Sequence, residues 1–384
     1  MNQTPWTPEQ TAKMLSLQQK LQGLGIKAKP FSIEEGPVVT GYVFILDLSE
    51  SISKIIKRAE DLALATGEDK VIIQRVKDKI VIYVPNKERK IVDFKEVLHW
   101  YLNDPEVQQM ILPIALGVDT SGKKVALDLA EMPHCLITGE TGGGKSVFES
   151  AINCNFIYRF SSSELHLYLV DSKRLDLTLF KDLPHIRYMA RSINEFHMMM
   201  RSLMLMIRQR NLTLEQHSCR NIQDYHKRMN GIESMPYVVL MLDEFGDLMS
   251  QDEGLRKLDK QEKPEARKYE GIPTVKSWLR EASQIARAAG VHIIACTQRA
   301  SVKVVDGDIK TNLPCRISFR FPTQTDSRTI LDCGGAENLL GKGDMLVKRP
   351  GKDTLERFHG PFVEMKDIQE LISNYEYIRA SLGK

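Results

Sequence analysis

The sequence predicts an α/β protein in which a mainly parallel sheet, covered by helices on both faces, is preceded by a small α+β unit. From about residue 133 onward, short apolar runs without polar alternation are separated by helix-length stretches, which is the pattern of buried parallel strands. Before residue 102, strand-like runs flank an amphipathic stretch. The chain has 384 residues, more than a single hydrophobic core usually serves, so its length alone predicts two domains or one domain with large insertions.

The small unit is predicted to cover residues 1–102. Apolar residues at helical spacing indicate a helix at 7–24. The apolar runs 37–47 and 79–85 indicate strands, and the amphipathic stretch 51–66 between them indicates a helix.

The large unit is predicted to cover residues 133–364. Residues 103–132, which contain several prolines and glycines, are expected to be a linker into this unit. Residues 251–270 are dense in both charge signs, so we expect a surface excursion there, and 365–384 indicates a C-terminal helix. The predicted strands are 135–138, 165–170, 237–242, 292–296 and 316–321.

Composition limits the partners and the compartment. The 53 Lys and Arg residues nearly balance the 50 Asp and Glu residues, so the chain lacks the basicity of a small nucleic-acid binder and any DNA contact must be local. The six cysteines are widely spaced, which argues against a disulfide framework or a zinc site. We find neither a signal peptide nor the roughly 18 to 20 consecutive apolar residues of a membrane-spanning helix, and we expect a cytoplasmic protein.

A complete phosphate-binding motif, G-x-x-x-x-G-K-[ST], follows the first predicted strand of the large unit. Its glycines allow backbone N–H groups to turn towards phosphate oxygens, and Lys145 is expected to neutralise the β- and γ-phosphates of ATP. The Ser146 hydroxyl is expected to ligate Mg²⁺. The predicted nucleotide-binding residues are Gly139, Glu140, Thr141, Gly142, Gly143, Gly144, Lys145, Ser146 and Val147.

A second predicted strand ends in two carboxylates. The apolar run 237–242 leads directly into Asp243 and Glu244. Asp243 is expected to lie beside the Mg²⁺ ion, whereas Glu244, which points elsewhere, is expected to be the general base for the attacking water. We therefore predict an ATPase with ATP and Mg²⁺ as its cofactors.

Two further residues complete the predicted catalytic set. Gln298 follows the strand at 292–296 and is expected to sense the γ-phosphate through a neutral hydrogen bond; the alternative is a strand cap without a catalytic role. Arg287, which ends a helix among small residues, is expected to complete the site of a neighbouring subunit. Arg280 is its rival, and a favourable position at the helix C-terminus is the simpler explanation.

A series of ordered stretches matches one protein family. They are 132–134, 171–175, 242–249, 286–290, 297–299, 309–314, 326–332 and 334–341. Through them the chain resembles the motor module of the FtsK/SpoIIIE/Tra family of DNA translocases. The resemblance implies a RecA-like P-loop NTPase core, preceded by a small α subdomain that includes the stretch 36–40.

The resemblance also implies a function, namely ATP-driven translocation of double-stranded DNA by a hexameric ring with ATP sites between its subunits. Arg299, Lys303, Lys310 and Arg328 would then contact DNA phosphates in the central channel. The alternative for each cation is a solvated surface position, and Arg328 is also a candidate for the nucleotide site. A protein that recruits the motor is a further expected partner.

The sequence departs from the family pattern in places. We expect neither the membrane domain nor the C-terminal winged helix of familiar members, and Glu140 with a glycine triplet stands where Thr and Ser are usual. Two other functions stay open, namely an FtsK-like ATPase that powers protein secretion and a conjugation or packaging ATPase. Stimulation of ATP turnover by duplex DNA would separate them.

Overall fold

The computed structural model of the chain describes residues 6–47, 49–76, 78–173, 176–230, 235–262, 268–352 and 354–375. Arg174 and Leu175 of the stretch 171–175 lie outside these ranges, as do residues 376–384 of the predicted C-terminal helix.

The N-terminal part is a four-stranded antiparallel sheet with helices on one face, in the strand order β1-β2-β4-β3. Its elements are α1 (Pro8–Gly23), β1 (Ala28–Glu35), β2 (Val39–Leu46), α2 (Ile52–Ile56), α3 (Ala59–Thr66), β3 (Ile72–Val76) and β4 (Lys79–Pro85). A capping box between Thr7 and Gln10 starts α1, which then buries Met14, Leu17 and Leu21 in the core of this part.

Three elements of this part differ from the prediction. The strands β1 and β3 were not predicted, and both lie at the edges of the sheet, where one side of a strand faces solvent. Pro30 stands at a register shift in β1, which obscures its strand pattern. The single helix expected at 51–66 is two helices, α2 and α3, whose Ile55 and Leu62 enter the same core.

The C-terminal part begins with α4 and continues to α13. Its elements are α4 (Phe94–Asn103), α5 (Pro105–Gln109), β5 (Pro113–Asp119), β6 (Lys124–Asp128), β7 (His134–Thr138), α6 (Lys145–Arg159), β8 (Leu165–Val170), β9 (Ile186–Ala190), α7 (Ile193–Gln216), α8 (Ile222–Met229), β10 (Tyr237–Leu242), α9 (Phe245–Asp259), α10 (Val275–Ile285), β11 (Val291–Thr297), α11 (Gly307–Asn312), β12 (Cys315–Phe319), α12 (Gln324–Leu331), β13 (Asp344–Lys348), β14 (Glu356–His359) and α13 (Met365–Ser373).

A ten-stranded sheet runs through this part in the order β6-β5-β14-β13-β12-β7-β11-β10-β8-β9. Neighbours from β12 to β9 pair in parallel, and the pairs from β6 to β12 are antiparallel. One face packs against α4, α6 and α13, and the other packs against α7 and α10. The prediction of an α/β fold with a mainly parallel sheet is confirmed.

The segment 103–132, predicted as a linker and entry to the core, contains α5, β5 and β6, and its two strands belong to the large sheet. The buried carboxylate of Asp128 holds it in place by accepting hydrogen bonds from the backbone N–H groups of Ile111 (2.8 Å) and Leu112 (2.9 Å). Gly117, which suggested a linker, is required by packing: its φ is 95°, and a Cβ there would lie 2.1 Å from the carbonyl oxygen of His359. The limits of the two predicted units stay a proposal.

The charged stretch 251–270 is not wholly an excursion, because α9 continues through it to Asp259. Asp252 is buried and accepts hydrogen bonds from Arg256 Nε (2.8 Å) and Val275 N (3.2 Å), which ties the stretch back to the start of α10. Residues 263–267 of the stretch lie outside the described ranges. Within those ranges, none of the helices is both long enough and apolar enough to cross a bilayer.

Candidate nucleotide-binding and catalytic site

The predicted residues of the nucleotide site, apart from Arg287, meet at the carboxyl ends of the parallel strands of the large sheet. The strands β7, β10 and β11 run in parallel, so their carboxyl ends lie together. The phosphate-binding loop follows β7, the two carboxylates follow β10, and Gln298 follows β11. The fold therefore brings together residues that are more than 150 positions apart in the sequence, such as Thr141 and Gln298.

The loop before α6 has a shape that only glycine permits at two points. Gly142 and Gly144 have φ values of 80° and 114°, which are left-handed. A Cβ on Gly144 would lie 2.5 Å from the backbone nitrogen of Gly343. Gly343 N–H donates to the carbonyl oxygen of Gly143 (2.9 Å), so the segment before β13 supports the loop from behind.

Lys145 is buried at the first residue of α6, with 3% of its side chain exposed. Its ammonium donates to Asp243 Oδ1 (2.8 Å), to the carbonyl oxygen of Asp243 (3.1 Å) and to Glu149 Oε1 (2.8 Å). The loop lysine is thus in direct contact with the carboxylate that is predicted to lie beside the metal ion. Burial would lower the pKa of Lys145, but the nearby Glu149 and Asp243 carboxylates outweigh it, so the pKa is raised and the ammonium stays charged.

Glu149 is a site residue that the sequence reasoning missed. It lies one helical turn after Lys145, so the i, i+4 spacing of a lysine and a glutamate was the signal that could have found it. The side chain is fully buried, and this burial raises the pKa of Glu149 to about 8, although Lys145 acts in the opposite direction. A second carboxyl group therefore competes with ATP phosphates for the loop lysine.

Glu244 is buried and fixed by the end of β11. One carboxylate oxygen accepts a short hydrogen bond from the Thr297 hydroxyl, and the other accepts from the backbone N–H of Gln298 (2.8 Å). Burial raises the pKa of Glu244, and these two hydrogen bonds act against that rise. Thr297 was not predicted as a site residue, because its contact with Glu244 depends on the pairing of β10 with β11.

Gln298 connects β11 to the phosphate-binding loop. Its Oε1 accepts a hydrogen bond from the Thr141 hydroxyl (2.9 Å), and the side chain lines the same cavity as Lys145. This position is compatible with contact to a terminal phosphate, because the Nε2 amide group of Gln298 can donate to a phosphate oxygen while Oε1 accepts from Thr141.

The oxygen donors present fit a magnesium ion. Ser146 lines the cavity, and Asp243 supplies a buried carboxylate beside the loop. Hydroxyl, carboxylate and phosphate oxygens with several waters are the ligands that Mg²⁺ prefers. Within the described ranges, no three His, Cys, Asp or Glu side chains converge as a separate metal cluster.

A cavity of about 630 Å³ extends from the loop towards the N-terminal part. Its polar end is lined by Thr141, Lys145, Ser146 and Gln298, and its other end is lined by apolar side chains together with the cations Arg89 and Lys90. The apolar end includes Val38, Ile91, Val92, Val147, Pro361 and Phe362. Ile91 and Phe362 are 72% and 46% exposed, so this end presents apolar surface to a bound molecule.

Arg287 lies away from the loop of its own chain. It precedes β11, whereas the loop follows β7, and these strands are parallel neighbours, so the two are at opposite edges of the sheet. Arg287 is exposed and lines a second cavity, of about 540 Å³, together with Asn211 and Arg220. Arg280 is also exposed but does not line this cavity.

The predicted DNA-contacting residues do not form one cluster. Arg299 donates to Asp247 (2.7 Å) and Ser250 (2.9 Å), and Lys303 pairs with Glu253 (2.9 Å). Lys310 pairs with Asp332 (2.7 Å) near the other edge of the sheet. Arg328 is exposed on α12. Their contact with DNA stays a prediction.

Sequence profiles connect both parts of the chain with known domains. A profile of the FtsK/SpoIIIE family matches residues 102–302, and a profile of the FtsK alpha domain matches residues 2–86.

Individual relatives are similar over nearly the whole chain. DNA translocase SpoIIIE of Bacillus subtilis (strain 168) is 36% identical over 372 residues, which are 93% of this chain and 44% of the relative. DNA translocase FtsK of Clostridium tetani (strain Massachusetts / E88) is 35% identical over 365 residues, which are 93% of this chain and 46% of the relative. The chain therefore spans less than half the length of these relatives.

Solved structures share the fold at low sequence identity. The pCW3 conjugation coupling protein TcpA, in its monomer form with ATPγS, superposes with a TM-score of 0.63 at 19% identity, over 94% of this chain and 99% of TcpA. The cytoplasmic domain of the Thermomonospora curvata Type VII secretion ATPase EccC gives a TM-score of 0.58 at 21% identity, over 73% of this chain and 34% of EccC. These similarities show a common α/β architecture.

Proposed function

The chain belongs to the FtsK/SpoIIIE family, and from this membership and the geometry of the site we propose that it hydrolyses ATP to move double-stranded DNA. The observation that carries the proposal is that Lys145 and Gln298 line one cavity at the carboxyl ends of the parallel strands. Asp243 accepts a hydrogen bond from Lys145, and Glu244 accepts one from the backbone N–H of Gln298. Each has the chemical character that its place in phosphoryl transfer requires.

In this proposal ATP binds with its phosphates at the glycine loop and its base at the apolar end of the cavity. The loop offers backbone N–H groups and the start of α6, which both attract anions. Ile91 and Phe362 would cover the faces of the base with apolar surface. Lys145 would leave Glu149 and Asp243 for the β- and γ-phosphates.

Ser146 and Asp243 would hold Mg²⁺ beside the phosphates, and the bound ion would neutralise charge that develops on them. Asp243 can serve the ion once Lys145 has turned to the phosphates, because its Oδ1 is then no longer bonded to the ammonium. Asp243 and Lys145 therefore exchange partners when nucleotide enters.

Glu244 would act as the general base. Both of its oxygens are engaged by Thr297 and Gln298, but each carboxylate oxygen has a second lone pair that can accept a proton from water. Burial raises the pKa of Glu244, which brings its basicity nearer to that needed at neutral pH. Gln298 lies next to this base and would orient the γ-phosphate.

We further propose a homo-oligomeric ring, of six subunits as in the family, in which Arg287 serves the nucleotide of a neighbouring subunit. The support is its position, since it is exposed and lies at the edge of the sheet opposite to its own loop. Arginine donates several hydrogen bonds to phosphate oxygens and keeps its charge, which suits stabilisation of transition-state charge. Arg280 remains the rival.

Double-stranded DNA is the proposed track. A motor that moves along any sequence has to hold the phosphate backbone, for which local cations such as Arg299 and Lys303 are suited. Arg299 is also joined to the catalytic base, because its backbone N–H donates to the Thr297 hydroxyl (3.0 Å) that contacts Glu244. A cytoplasmic location agrees with six free cysteines.

The test is ATP turnover with linear duplex DNA, with single-stranded DNA, and with unfolded polypeptide. Duplex DNA should stimulate turnover well above the other two additions. Stimulation by polypeptide alone would favour a secretion ATPase, and duplex binding without any stimulation would favour a conjugation or packaging role without processive movement. Glu244→Gln protein is the control for contaminating ATPase activity.

A further inference from the structure

A basic cleft of about 520 Å³ lies between α11, the start of β12, the end of α12 and the turn after β13. Its charged lining consists of Lys310, Arg316, Asp332, Lys348, Arg349 and Lys352. We call these residues the basic cleft. Lys310 alone among them was considered for DNA contact from the sequence.

The basic cleft is separate from the nucleotide site. It lies where β12 begins, whereas the phosphate-binding loop follows the end of β7, and these strands pair in parallel. The two sites are therefore at opposite ends of the strands, about the length of one strand apart. A nucleotide bound at the loop cannot reach the cleft.

One carboxylate in the cleft faces three cations. Asp332 accepts hydrogen bonds from Lys310 Nζ (2.7 Å), Arg316 Nη1 (2.7 Å) and Lys348 Nζ (2.8 Å). Burial would raise the pKa of Asp332, but the three donors outweigh it and hold the pKa far below its usual value. The carboxylate is therefore ionised, and it can neutralise only one of the three positive charges.

The excess of positive charge continues in the turn between β13 and β14. Glu356 is the carboxylate partner of both Arg349 (2.7 Å) and Lys352 (3.2 Å). Together with the group around Asp332, five cations thus face two carboxylates, which leaves a formal charge of +3 at one place on a chain whose total is also +3.

Arg316 is the most buried of the five cations. This residue is only 9% exposed, and its Nε is buried without a hydrogen-bond partner. A buried donor of a charged group that lacks an acceptor is costly, so the position of Arg316 calls for an explanation, such as an ordered water or a bound ion. The guanidinium is a good match for a phosphate group, because it donates in a planar fork.

We propose that the basic cleft binds a phosphate group of the DNA backbone, as a contact additional to Arg299 and Lys303. This inference rests on the proposed function, since a DNA motor supplies the phosphodiester that the cleft would take. Asp332 then has a defined role: it holds the cations in place and limits the affinity, so that the phosphate is released again as DNA advances.

The test is duplex binding by fluorescence anisotropy across a salt titration, with a short labelled linear duplex and the full chain. Lys348→Gln/Lys352→Gln removes two cations of the cleft. Each phosphate-binding cation that is removed should lower the slope of log K against log salt concentration by about 0.9. If the two proteins bind equally at about 1 M salt, the loss of two such cations should weaken duplex binding at about 0.1 M salt by up to about 60-fold. The matched control is Lys54→Gln/Lys57→Gln at α2, which replaces two exposed lysines and should leave binding near wild type.

A second variant should act in the opposite direction. Asp332→Asn removes the negative charge that faces Lys310, Arg316 and Lys348. Asparagine also tolerates the φ of 65° at this position. The variant should strengthen duplex binding and steepen the salt slope. A purely structural ion-pair network predicts the contrary, because both variants would then lose stability and neither would gain affinity; a thermal melt of each variant identifies misfolded protein.

The outcomes distinguish a failure of the basic cleft proposal from a failure of the proposed function. If wild-type protein binds duplex DNA but both cleft variants match the lysine control, the basic cleft proposal fails and the DNA motor stands. If wild-type protein binds no duplex at low salt, the motor and the cleft both fail. Inorganic phosphate is a separate arm: tight phosphate binding that follows the same variants, without any effect on duplex binding, assigns the cleft to free phosphate and overturns the DNA contact.

Discussion

Replacement of Glu149 by glutamine should change the pH dependence of folding. Glu149 is fully buried beside Lys145, and its pKa is raised by burial from 4.5 to about 8. The folded chain therefore binds a proton at this residue more readily than the unfolded chain between these pH values. The sign follows from linkage: where the folded state holds more protons, stability falls as the pH rises. Glu149→Gln removes this loss, because an amide does not ionise.

The magnitude follows from the size of the pKa shift. At about 1.4 kcal/mol per pH unit, the shift corresponds to at most about 5 kcal/mol, lost progressively as the pH rises from 4.5 to about 8. The pKa of Lys145 is raised above its value of 10.5 in the unfolded chain, and the stability that this adds is fully present below pH 10.5. This contribution is therefore constant between pH 4.5 and about 8. The stability of Glu149→Gln relative to wild type should therefore increase steadily with pH.

The assay is urea unfolding of wild type and Glu149→Gln at about pH 5 and about pH 8.5. We expect similar stability at the lower pH and a stability advantage of several kcal/mol for the variant at the higher pH. ATP should bind the two proteins similarly below about pH 8, where Glu149 is mostly protonated, and should bind the variant more tightly above that pH, where a Glu149 carboxylate competes for Lys145. A difference between the two proteins that stays the same at both pH values would refute the assignment of Glu149 as a buried titrating group.

Three further outcomes are expected. Lys145→Ala should abolish nucleotide binding, measured by calorimetry, and should cost about 3–5 kcal/mol of stability, because it leaves the Asp243 carboxylate buried without its cation. Glu244→Gln should keep ATP bound but nearly unhydrolysed in a single-turnover assay; near wild-type turnover with saturating duplex would rule out this base. Mixing Arg287→Ala subunits with Lys145→Ala subunits should recover part of the ATPase activity, and no recovery in rings shown to be mixed would point to Arg280 instead.

The candidate nucleotide site could be recognised in the sequence because its signals are local. A glycine loop between an apolar strand and a helix, and a strand that ends in Asp243 and Glu244, are each contained in a few consecutive residues. Thr297 had no local signal, since its contact with Glu244 arises only when β10 pairs with β11. Glu149 had the signal of helical spacing, but its burial beside Lys145 depends on how α6 packs against the sheet.

Of the six parallel strands in the described part of the chain, five were predicted, whereas β9 at the edge of the sheet and several antiparallel strands were not. Strands buried on both faces are continuous apolar runs, which stand out in a sequence. The strands β5 and β6 are joined by a turn rich in small and polar residues, which resembled a linker. Asp128, which fastens this segment through backbone hydrogen bonds, is indistinguishable in sequence from a solvated acid.

Movement along duplex DNA, driven by ATP hydrolysis, is measured most directly by displacement of a triplex-forming strand from a linear duplex. The reaction is run with ATP and with a non-hydrolysable analogue. Wild-type protein should displace the strand with ATP, and no displacement is expected with the analogue or with Glu244→Gln protein. Wild-type protein that assembles and turns over ATP, yet leaves the triplex intact under conditions where it binds duplex, would contradict the proposed motor.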